Sequence, residues 1–266
     1  MARGTGQLIA DALRRGAKKV FIGLGGSATN DGGIGMAAAL GFRFFGSRGE
    51  PLDALAANLG AISRVQAPDP QANVEIVGLC DVQNPLTGGR GASRVFGPQK
   101  GADPAVVEEL DAGLVHLADV VARDLGRDFR ATPGAGAAGG LGFGLLSFCG
   151  AKIRSGFETV AGVLHLEEAI AASDLVLTGE GRLDGQTLEG KGPAGVAALA
   201  RSLGKPVFAF AGAVEVDARL GELFERTVAI TPAGMPLEEG MLRAPQLLED
   251  AVAQALCSLT MTRRER

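Results

Sequence analysis

Short apolar runs that end in glycine-rich turns are the feature that most limits the folds open to this chain. The 266 residues include 41 glycines, which follow no period and are not diluted in serine or glutamine. A collagen-like or disordered chain is therefore a poor explanation. Glycine at the end of a strand or helix lets the backbone turn tightly or approach a ligand. The pattern indicates an α/β protein.

From residue 166 onward, predicted strands and helices alternate with short connections. Such alternation predicts a parallel sheet with right-handed crossovers. We place a domain boundary near residue 165, give or take ten residues, which divides the chain into residues 1–165 and 166–266. The predicted strands in the second part are 174–178, 206–212 and 227–231, and the predicted helices are 193–203, 217–225 and one from about Leu237.

The first part contains the same kinds of element with longer connections. Its clearest signal is Asp103 followed by Pro104, a capping carboxylate and a first-turn proline, which predicts a helix that runs to about Leu125. The other predicted helices are 5–15, 34–40 and 51–60, and the predicted strands are 20–22, 42–45 and 74–80.

Composition argues against several classes of function. The net charge is −4 and the only basic cluster is at residues 263–266, so the basic patch of a nucleic-acid-binding protein is missing. The three cysteines are far apart, without the spacing of a zinc site or redox motif. No apolar run approaches the length of a membrane span and no signal-peptide pattern is evident. We expect a cytoplasmic protein whose partners are small molecules.

Four glycine-rich loops share one layout, in which polar side chains follow a strand or a small-residue turn. In open α/β sheets, ligands bind beyond the carboxyl ends of the strands. Three of the loops directly follow predicted strands, so they could converge on one cleft. The loops are GLGGSATNDGG (23–33), CDVQNPLTGGRGAS with GPQKGA (80–102), GAGAAGGLG (134–142) and TGEGRLDGQTLEGKG (178–192).

The groups in these loops fit phosphoryl transfer better than acyl transfer or redox chemistry. Glycine-rich backbone presents N–H groups to phosphate oxygens, and phosphoryl transfer needs positioning, metal and cations more than a covalent nucleophile. The carboxylates that could hold Mg²⁺ or accept a proton are Asp31, Asp81, Glu180 and Asp184, and the cations that could neutralise phosphate are Arg90, Lys100, Arg182 and Lys191.

Each loop also has a plainer interpretation as a turn between α/β elements. For Asp31 alone, helix capping and catalysis are both open. The hypothesis of a catalytic site therefore depends on the four loops taken together.

A dinucleotide-dependent oxidoreductase is the first alternative. Residues 23–28 match G-x-G-x-x-A, the dinucleotide fingerprint, after a predicted strand. A ribose-binding acid should end the second strand about twenty residues later, but residues 44–46 are Phe-Phe-Gly and no acid occurs before Glu50. The helix is also expected to begin at Gly33, too late for the fingerprint. We rank this alternative second.

The quoted loops, with GASRVFGPQKGA and LTGEGRLDGQTLEGKGPAGVA, resemble motifs of the bacterial glycerate kinases of the GarK/GlxK type, and they occur in the family's order. The resemblance extends from about Thr5 to the C-terminus. It implies an ATP- and Mg²⁺-dependent kinase that phosphorylates D-glycerate at the 2-hydroxyl, in a cleft between two α/β domains. The C-terminal domain would contain a parallel Rossmann- or flavodoxin-like sheet.

With this resemblance, the loops supply a set of expected site residues. Asp184, Asp31 and Asp81 are the expected catalytic residues, and Asp184 and Glu180 the expected metal ligands. The expected substrate- and nucleotide-binding residues are Gly25, Gly26, Ser27, Thr29, Asn30, Arg90, Lys100, Gly139, Gly140, Glu180, Arg182 and Lys191.

One departure from the family concerns the start of the chain. Family members begin with an apolar strand that leads to a DSFKG-type motif, followed by a DGGEGT-type motif, and neither motif occurs here. We therefore expect an N-terminally truncated chain whose second sheet is incomplete, with an open edge. The lost aspartate and lysine could be catalytic. A non-catalytic fragment that keeps the ligand-binding loops is the second alternative.

Overall fold

The computed structural model describes residues 2–69, 74–185, 187, 192–215 and 217–264. The chain forms two compact units, Met1–Gly156 and Phe157–Arg266. Compactness alone does not show that each unit folds independently, so the division into domains near residue 165 stays a prediction. No helix among the described residues combines the length and apolar character needed to cross a membrane.

The first unit contains five helices and six strands in its described residues. Two short 3₁₀ helices, Ala56–Ala61 and Pro98–Lys100, lie between them. The helices are α1 (Arg3–Arg14), α2 (Ile34–Ala39), α3 (Ala92–Phe96), α4 (Pro104–Leu125) and α5 (Ala137–Cys149), and the strands are β1 (Lys19–Gly23), β2 (Arg43–Phe45), β3 (Pro51–Leu52), β4 (Arg64–Gln66), β5 (Glu75–Leu79) and β6 (Lys152–Arg154).

A three-stranded parallel sheet in the order β1-β5-β6 positions the functional loops of this unit. The register pairs Ile22 with Gly78, and Gly78 with Ile153. A Cβ atom on Gly78 would lie 2.7 Å from the Ile153 side chain, so glycine there lets the neighbouring side chains pack over the central strand.

Helix α4 confirms the strongest local prediction. The Asp103 side chain accepts a hydrogen bond of 2.9 Å from the Val106 N–H, and Pro104 occupies the first turn. The helix ends at Leu125, and the following Gly126 has φ +66°, the left-handed conformation that glycine adopts at low cost. Leu114 and Leu117 on its buried side are fully inaccessible and pack in the core with Phe143 of α5.

The segment between α2 and β5 forms a second, antiparallel sheet in the order β3-β2-β4. Phe44 lies in its central strand, opposite Leu52 and Val65, and is 2% exposed. The predicted strand at 42–45 is confirmed. The predicted helix over 51–60 is wrong in its first part, because β3 pairs with β2 there and only a 3₁₀ helix, Ala56–Ala61, follows.

The second unit contains a three-stranded parallel sheet in the order β7-β8-β9. Its inner strand is apolar, and Phe208 and Phe210 face α11 while Ala209 and Ala211 pack with the α8 side. The strands are β7 (Val176–Leu183), β8 (Val207–Val214) and β9 (Arg226–Ala229), and the helices are α6 (Gly156–Val163, which begins at the last residue of the first unit), α7 (Leu166–Ala171), α8 (Gly192–Ser202), α9 (Ala218–Leu223), α10 (Leu237–Leu242) and α11 (Ala244–Arg264).

This alternation confirms the predicted α/β class with a parallel sheet. One boundary differs, since β7 continues to Leu183 whereas the sequence predicted a loop after residue 178. The extension exists because Arg182 and Leu183 pair with Ala213 and Val214 of β8. Long-range pairing of this kind overrides the glycines at 179 and 181.

Candidate active site

Three loops of the first unit leave the same edge of the sheet β1-β5-β6. Just beyond the strands, the Leu24 N–H donates to the Leu79 carbonyl at 2.9 Å, and the Cys80 N–H donates to the Arg154 carbonyl at 2.8 Å. Asp81 and Ser155 follow immediately, beside the glycine-rich loop after β1. This is the edge at which parallel α/β sheets bind ligands.

The first half of the loop 23–33 exposes backbone. Gly25 and Gly26 are exposed, and a Cβ atom built on either would meet nothing within 4 Å. Gly26 has φ +58°, a conformation that a β-branched residue rarely adopts. Their backbone therefore borders open space, as a loop that binds an anion through amides requires.

The second half of the loop is buried against the segment that begins α5. The Gly32 N–H donates to the Gly139 carbonyl at 3.1 Å. Gly139 and Gly140 have φ +70° and +85°, and a Cβ atom on Gly139 would lie 1.8 Å from the Thr29 carbonyl oxygen. Because these glycines lack a side chain, the backbone at the start of α5 can contact the backbone of the loop 23–33 and hold its second half in place. Their predicted role in binding a ligand stays a prediction.

Asp31 lies within this buried half and is 1% exposed. Its carboxylate accepts hydrogen bonds from the Gly33 N–H at 3.0 Å and from the Ala2 N–H at 3.1 Å. These bonds close a turn at Gly33, which precedes α2, and connect that turn to Ala2, which precedes α1. The carboxylate does not cap α2 itself, because it accepts no N–H from within the helix. Catalysis by Asp31 stays a prediction.

Lys100 brings a positive charge to the loop. Its Nζ donates to the Thr29 carbonyl oxygen at 2.6 Å and to Ser27 Oγ at 3.2 Å. Burial lowers the pKa of Lys100, and the negative charge of Asp31 acts in the opposite direction. No carboxylate of the described chain lies within ion-pair distance of this ammonium. Among the described residues, the hydrogen-bond partners of the Lys100 ammonium are thus neutral oxygens.

Asn30 links the loop to α3. Its Nδ2 donates to Ser93 Oγ at 2.7 Å, and Ser93 is fully buried. The Asn30 Oδ1 atom has no hydrogen-bond partner within the part of the chain that the structure describes. Sequence reasoning missed Ser93, because nothing in its local sequence separates it from the other small residues of that loop.

Asp81 and Arg90 occupy the loop after β5. The exposed Asp81 accepts hydrogen bonds from Ser155 Oγ at 3.0 Å and from the Gly156 N–H at 2.8 Å, at the start of α6. Arg90 is exposed, and its carbonyl oxygen accepts a hydrogen bond from Asn84 Nδ2. The functional roles expected for both residues stay predictions.

A second polar cluster lies at the ends of β7 and β8 in the second unit. The Arg182 guanidinium donates to Glu215 and its Nε lies 3.6 Å from Asp184 Oδ2. Glu215 raises the pKa of Arg182 further above its ordinary value. The Thr187 hydroxyl donates to Glu180 Oε1 at 2.6 Å. The sequence singled out three of these residues and missed Thr187 and Glu215.

Glu215 enters this cluster through sheet pairing. It directly follows β8, and its N–H donates to the Leu183 carbonyl at 2.8 Å. The sequence did contain a signal for Glu215, because a carboxylate directly after a strand also singled out Asp81 after β5. Lys191, the remaining expected cation, lies outside the described residues.

The magnesium-binding role expected of Glu180 and Asp184 stays a prediction. Within the described ranges, no three His, Cys, Asp or Glu side chains are grouped as metal ligands. Mg²⁺ in kinases keeps several waters and is held by one or two carboxylates together with substrate phosphates. In the structure, Thr187 links the Glu180 carboxylate to the backbone N–H of Asp184.

The dinucleotide alternative lacks the required topology. In a dinucleotide fold, the strand after the fingerprint helix lies parallel to the first strand in the same sheet. Here β2 follows α2 but pairs antiparallel with β3 and β4, in a different sheet from β1. The place where a ribose-binding acid would stand is therefore not beside the loop 23–33.

Comparisons with known proteins point to one family along the length of the chain. A profile described as the glycerate kinase family matches residues 1–260. A glycerate kinase of Halalkalibacterium halodurans is 43% identical over 253 residues, which cover 93% of this chain and 67% of that protein. A glycerate kinase of Bacillus subtilis is 40% identical, and the match covers 98% of this chain and 70% of that protein. A glycerate 2-kinase of Escherichia coli is 47% identical, and the match covers 81% of this chain and 58% of that protein.

A solved structure gives the same result. A crystal structure described as that of a glycerate kinase 2 from Salmonella typhimurium LT2 superposes with a TM-score of 0.83 and is 39% identical. The match covers 99% of this chain and 70% of that one. The chain thus spans roughly 60–70% of the length of these relatives.

Proposed function

Because the chain belongs to the glycerate kinase family, we propose that it transfers the terminal phosphoryl group of ATP to D-glycerate and yields 2-phosphoglycerate. ATP is the phosphate donor that a kinase family implies. Mg²⁺ and the position of phosphorylation are parts of the proposal. The relative named a glycerate 2-kinase, 47% identical to this chain, supports the 2-hydroxyl as acceptor.

The observation that carries the proposal is the ammonium of Lys100 within a glycine loop. Among the described residues, the hydrogen-bond partners of this half-buried cation are neutral oxygens at 2.6 and 3.2 Å, and the negative charge of Asp31 acts on it without forming an ion pair. An anionic ligand at the exposed Gly25–Gly26 backbone would supply the missing negative charge. Both substrates are anions, since glycerate carries a carboxylate and ATP carries phosphates.

The remaining polar groups of the loop suit a hydroxy acid. Ser27 and Thr29 are half-buried beside Lys100, and Asn30 has an amide oxygen with no partner in the described chain. In this proposal Lys100 and the loop amides hold the anionic group, while the hydroxyl side chains orient it.

The second cluster suits the charge changes of phosphoryl transfer. When bound, Mg²⁺ neutralises charge on the transferring phosphates, and Glu180 and Asp184 would hold it. Asp184 could instead accept the proton of the substrate hydroxyl. Either role needs a negative charge at Asp184. Arg182, held by Glu215 and close to Asp184, would stabilise phosphate charge.

The substrates also suggest where the protein works. ATP and a small organic acid are metabolites of the cytoplasm, and we propose that the chain acts there on small molecules. Asp81 follows β5 at the same sheet edge as the loop 23–33, and Arg90 is an exposed cation later in the same loop. We keep both as further residues that contact substrate or nucleotide.

The test is a direct assay. The purified chain is incubated with ATP, MgCl₂ and D-glycerate, and the product is identified by phosphorus NMR. We expect 2-phosphoglycerate to form only when all three are present, at a rate in the enzymatic range of about 1–10³ per second. ATP hydrolysis without a phosphorylated acid would overturn the proposed acceptor.

Ligand binding gives a second readout. We expect ATP and D-glycerate to raise the melting temperature, and NADPH to leave it unchanged. Lys18, which lies before β1 at the opposite end of the strand from the loop, gives a matched control for changes at Lys100. Protection by NADPH without protection by ATP would contradict the proposal.

A further inference from the structure

We infer that Thr187 is a positioning residue for the proposed reaction, whose hydroxyl holds the Glu180 carboxylate and the Asp184 turn in one fixed arrangement. The inference rests on the proposed function, because it concerns the carboxylates to which that proposal gives the metal and proton-accepting roles.

The contacts of Thr187 use both properties of a hydroxyl group. Its Oγ1 donates to Glu180 Oε1 at 2.6 Å and accepts a hydrogen bond from the Asp184 N–H at 3.1 Å. A hydroxyl has one donor and two acceptor positions, so one small group links a strand residue to a turn residue. Valine, which has the same shape, could make neither bond.

The backbone closes the same turn from the other side. The Thr187 N–H donates to the Asp184 carbonyl oxygen at 3.0 Å. Residues 184 and 187 are therefore joined twice, once through the backbone and once through the Thr187 hydroxyl. The backbone bond alone defines the turn, and the hydroxyl adds the connection to Glu180.

Burial explains why water could not replace this hydroxyl. Thr187 is 1% exposed, whereas Glu180 and Asp184 are partly accessible. Hydrogen bonds from a neutral donor to a carboxylate are shorter and stronger than those between neutral groups, and 2.6 Å agrees with that class. The hydroxyl contacts the Glu180 carboxylate and the Asp184 backbone N–H, so its effect on the reaction passes through these two residues.

Small displacements of such groups have large effects on rate. Moving a reacting or metal-holding group by about 1 Å can cost about 10²-fold in turnover. Because Thr187 fixes the Glu180 oxygen and the start of the Asp184 turn, losing its hydroxyl should lower kcat. Substrate affinity should change little, since no substrate contact is removed.

The experiment compares two substitutions that separate the hydroxyl from the methyl group. Thr187→Val keeps the shape and removes the hydroxyl, and Thr187→Ser keeps the hydroxyl and removes the methyl. In the full chain we expect Thr187→Val to lower kcat by about 10–10²-fold with KM changed less than about threefold, and Thr187→Ser to stay within about threefold of wild type.

A partly buried hydroxyl elsewhere in the same unit provides the control. Ser173 Oγ donates to the Ile170 carbonyl at 2.8 Å, at the end of α7. Ser173→Ala should leave kcat unchanged while altering the melting temperature about as much as Thr187→Val does. A role limited to local structure would make the two variants behave alike in both measurements.

A double substitution tests whether the effect passes through Glu180. Once Glu180→Ala is present, adding Thr187→Val should lower kcat by less than about threefold, because interacting residues are not additive. Three results would overturn this inference but not the proposed function. They are fully additive losses of kcat in the double variant, equal kcat of Thr187→Val and wild type, and equal loss of kcat in the Val and Ser variants. A wild-type chain without glycerate phosphorylation would overturn the proposed function and, with it, this inference.

Discussion

The loop of the first unit and the polar cluster of the second unit offer similar chemical groups but hold them in different ways. In the loop 23–33, a buried carboxylate accepts backbone N–H groups and the nearby Lys100 donates to neutral oxygens. In the second unit, Arg182 pairs with Glu215 and Asp184, and all three side chains are partly exposed.

This difference indicates how each region should respond to mutation. The first region depends on backbone shape, which the close approach of Gly139 to Thr29 creates. The second depends on the charges of side chains that partly face solvent. We therefore expect changes of charge to reduce turnover without unfolding the second unit, and changes of size to unfold the first.

The largest effect on turnover is expected for Asp184→Asn. The amide keeps the volume and removes the negative charge that either proposed role requires. Turnover should fall by roughly 10²-fold or more, the scale for losing a positioned acid–base group, while the melting temperature changes little. Steady-state kinetics and a thermal melt measure both.

Asp174→Asn is the control, because this exposed residue precedes β7 at the opposite end of the strand. It should leave turnover unchanged. Near-wild-type turnover of Asp184→Asn would remove Asp184 from the site.

The largest effect on stability is expected for Gly139→Ala. The new Cβ would lie 1.8 Å from the Thr29 carbonyl oxygen, at a residue with φ +70°. Overpacking and left-handed strain together should cost about 2–4 kcal/mol, which lowers the melting temperature by about 5–15 °C.

Gly126→Ala separates the two causes. Gly126 has nearly the same φ, +66°, but a Cβ atom there meets nothing within 4 Å. Only the strain of about 1–2 kcal/mol should remain. If the two variants were equally stable, the close approach of the two loops would not matter for the fold.

The third prediction concerns charge in the first unit. Lys100→Met should weaken binding of the anionic ligand by about 10–100-fold, since a hydrogen bond to a charged group contributes about 1.5–3 kcal/mol. Titration calorimetry with ATP and with D-glycerate shows which ligand uses this ammonium. Lys18→Met should leave both affinities unchanged. Unchanged affinity for both ligands in Lys100→Met would give Lys100 a purely structural role.

The lowered pKa of Lys100 leads us to expect that ligand binding depends on pH. Burial lowers the pKa of Lys100, so its ammonium loses the proton at a lower pH than an exposed lysine does. Ligand affinity should fall as pH rises through that lowered pKa, and Lys100→Met should not show this fall. The free energy of unfolding should instead increase as pH rises between the folded and the unfolded pKa of Lys100, because in that range the unfolded chain binds more protons than the folded chain.

The smallest effect is expected for Ser27→Ala. The change removes one neutral acceptor, 3.2 Å from Lys100 Nζ, and leaves the Thr29 carbonyl in place. Affinity should fall about 2–5-fold, as expected for a hydrogen bond of about 0.5–1 kcal/mol. Ser63→Ala, which loses a bond to the Phe45 carbonyl in the antiparallel sheet, should not alter affinity. A loss as large as that of Lys100→Met would mean that Ser27 contacts the ligand itself.

Much of the candidate site could be predicted because strand ends and glycine clusters are visible in the sequence. Asp81, Glu180 and the loop 23–33 were found in this way, and parallel pairing then brings the loops after β1 and β5 to one edge. Thr187, Ser93 and Glu215 were missed. The partners of Ser93 and Glu215 are 63 and 33 positions away in the chain, which local patterns do not encode. Thr187 contacts residues only seven and three positions away, but which way its hydroxyl points is decided by how the turn folds.

The sequence alone determined the α/β class, the helix that Asp103 begins and the resemblance to glycerate kinases, because caps, periodicity and long motifs are local properties of the chain. Only the tertiary structure decided that residues 43–66 form a separate antiparallel sheet and that β7 extends to Leu183. It also showed that Asp31 is buried on backbone amides, whereas Asp184 lies beside a guanidinium. The environment of a carboxylate depends on residues brought to it by folding.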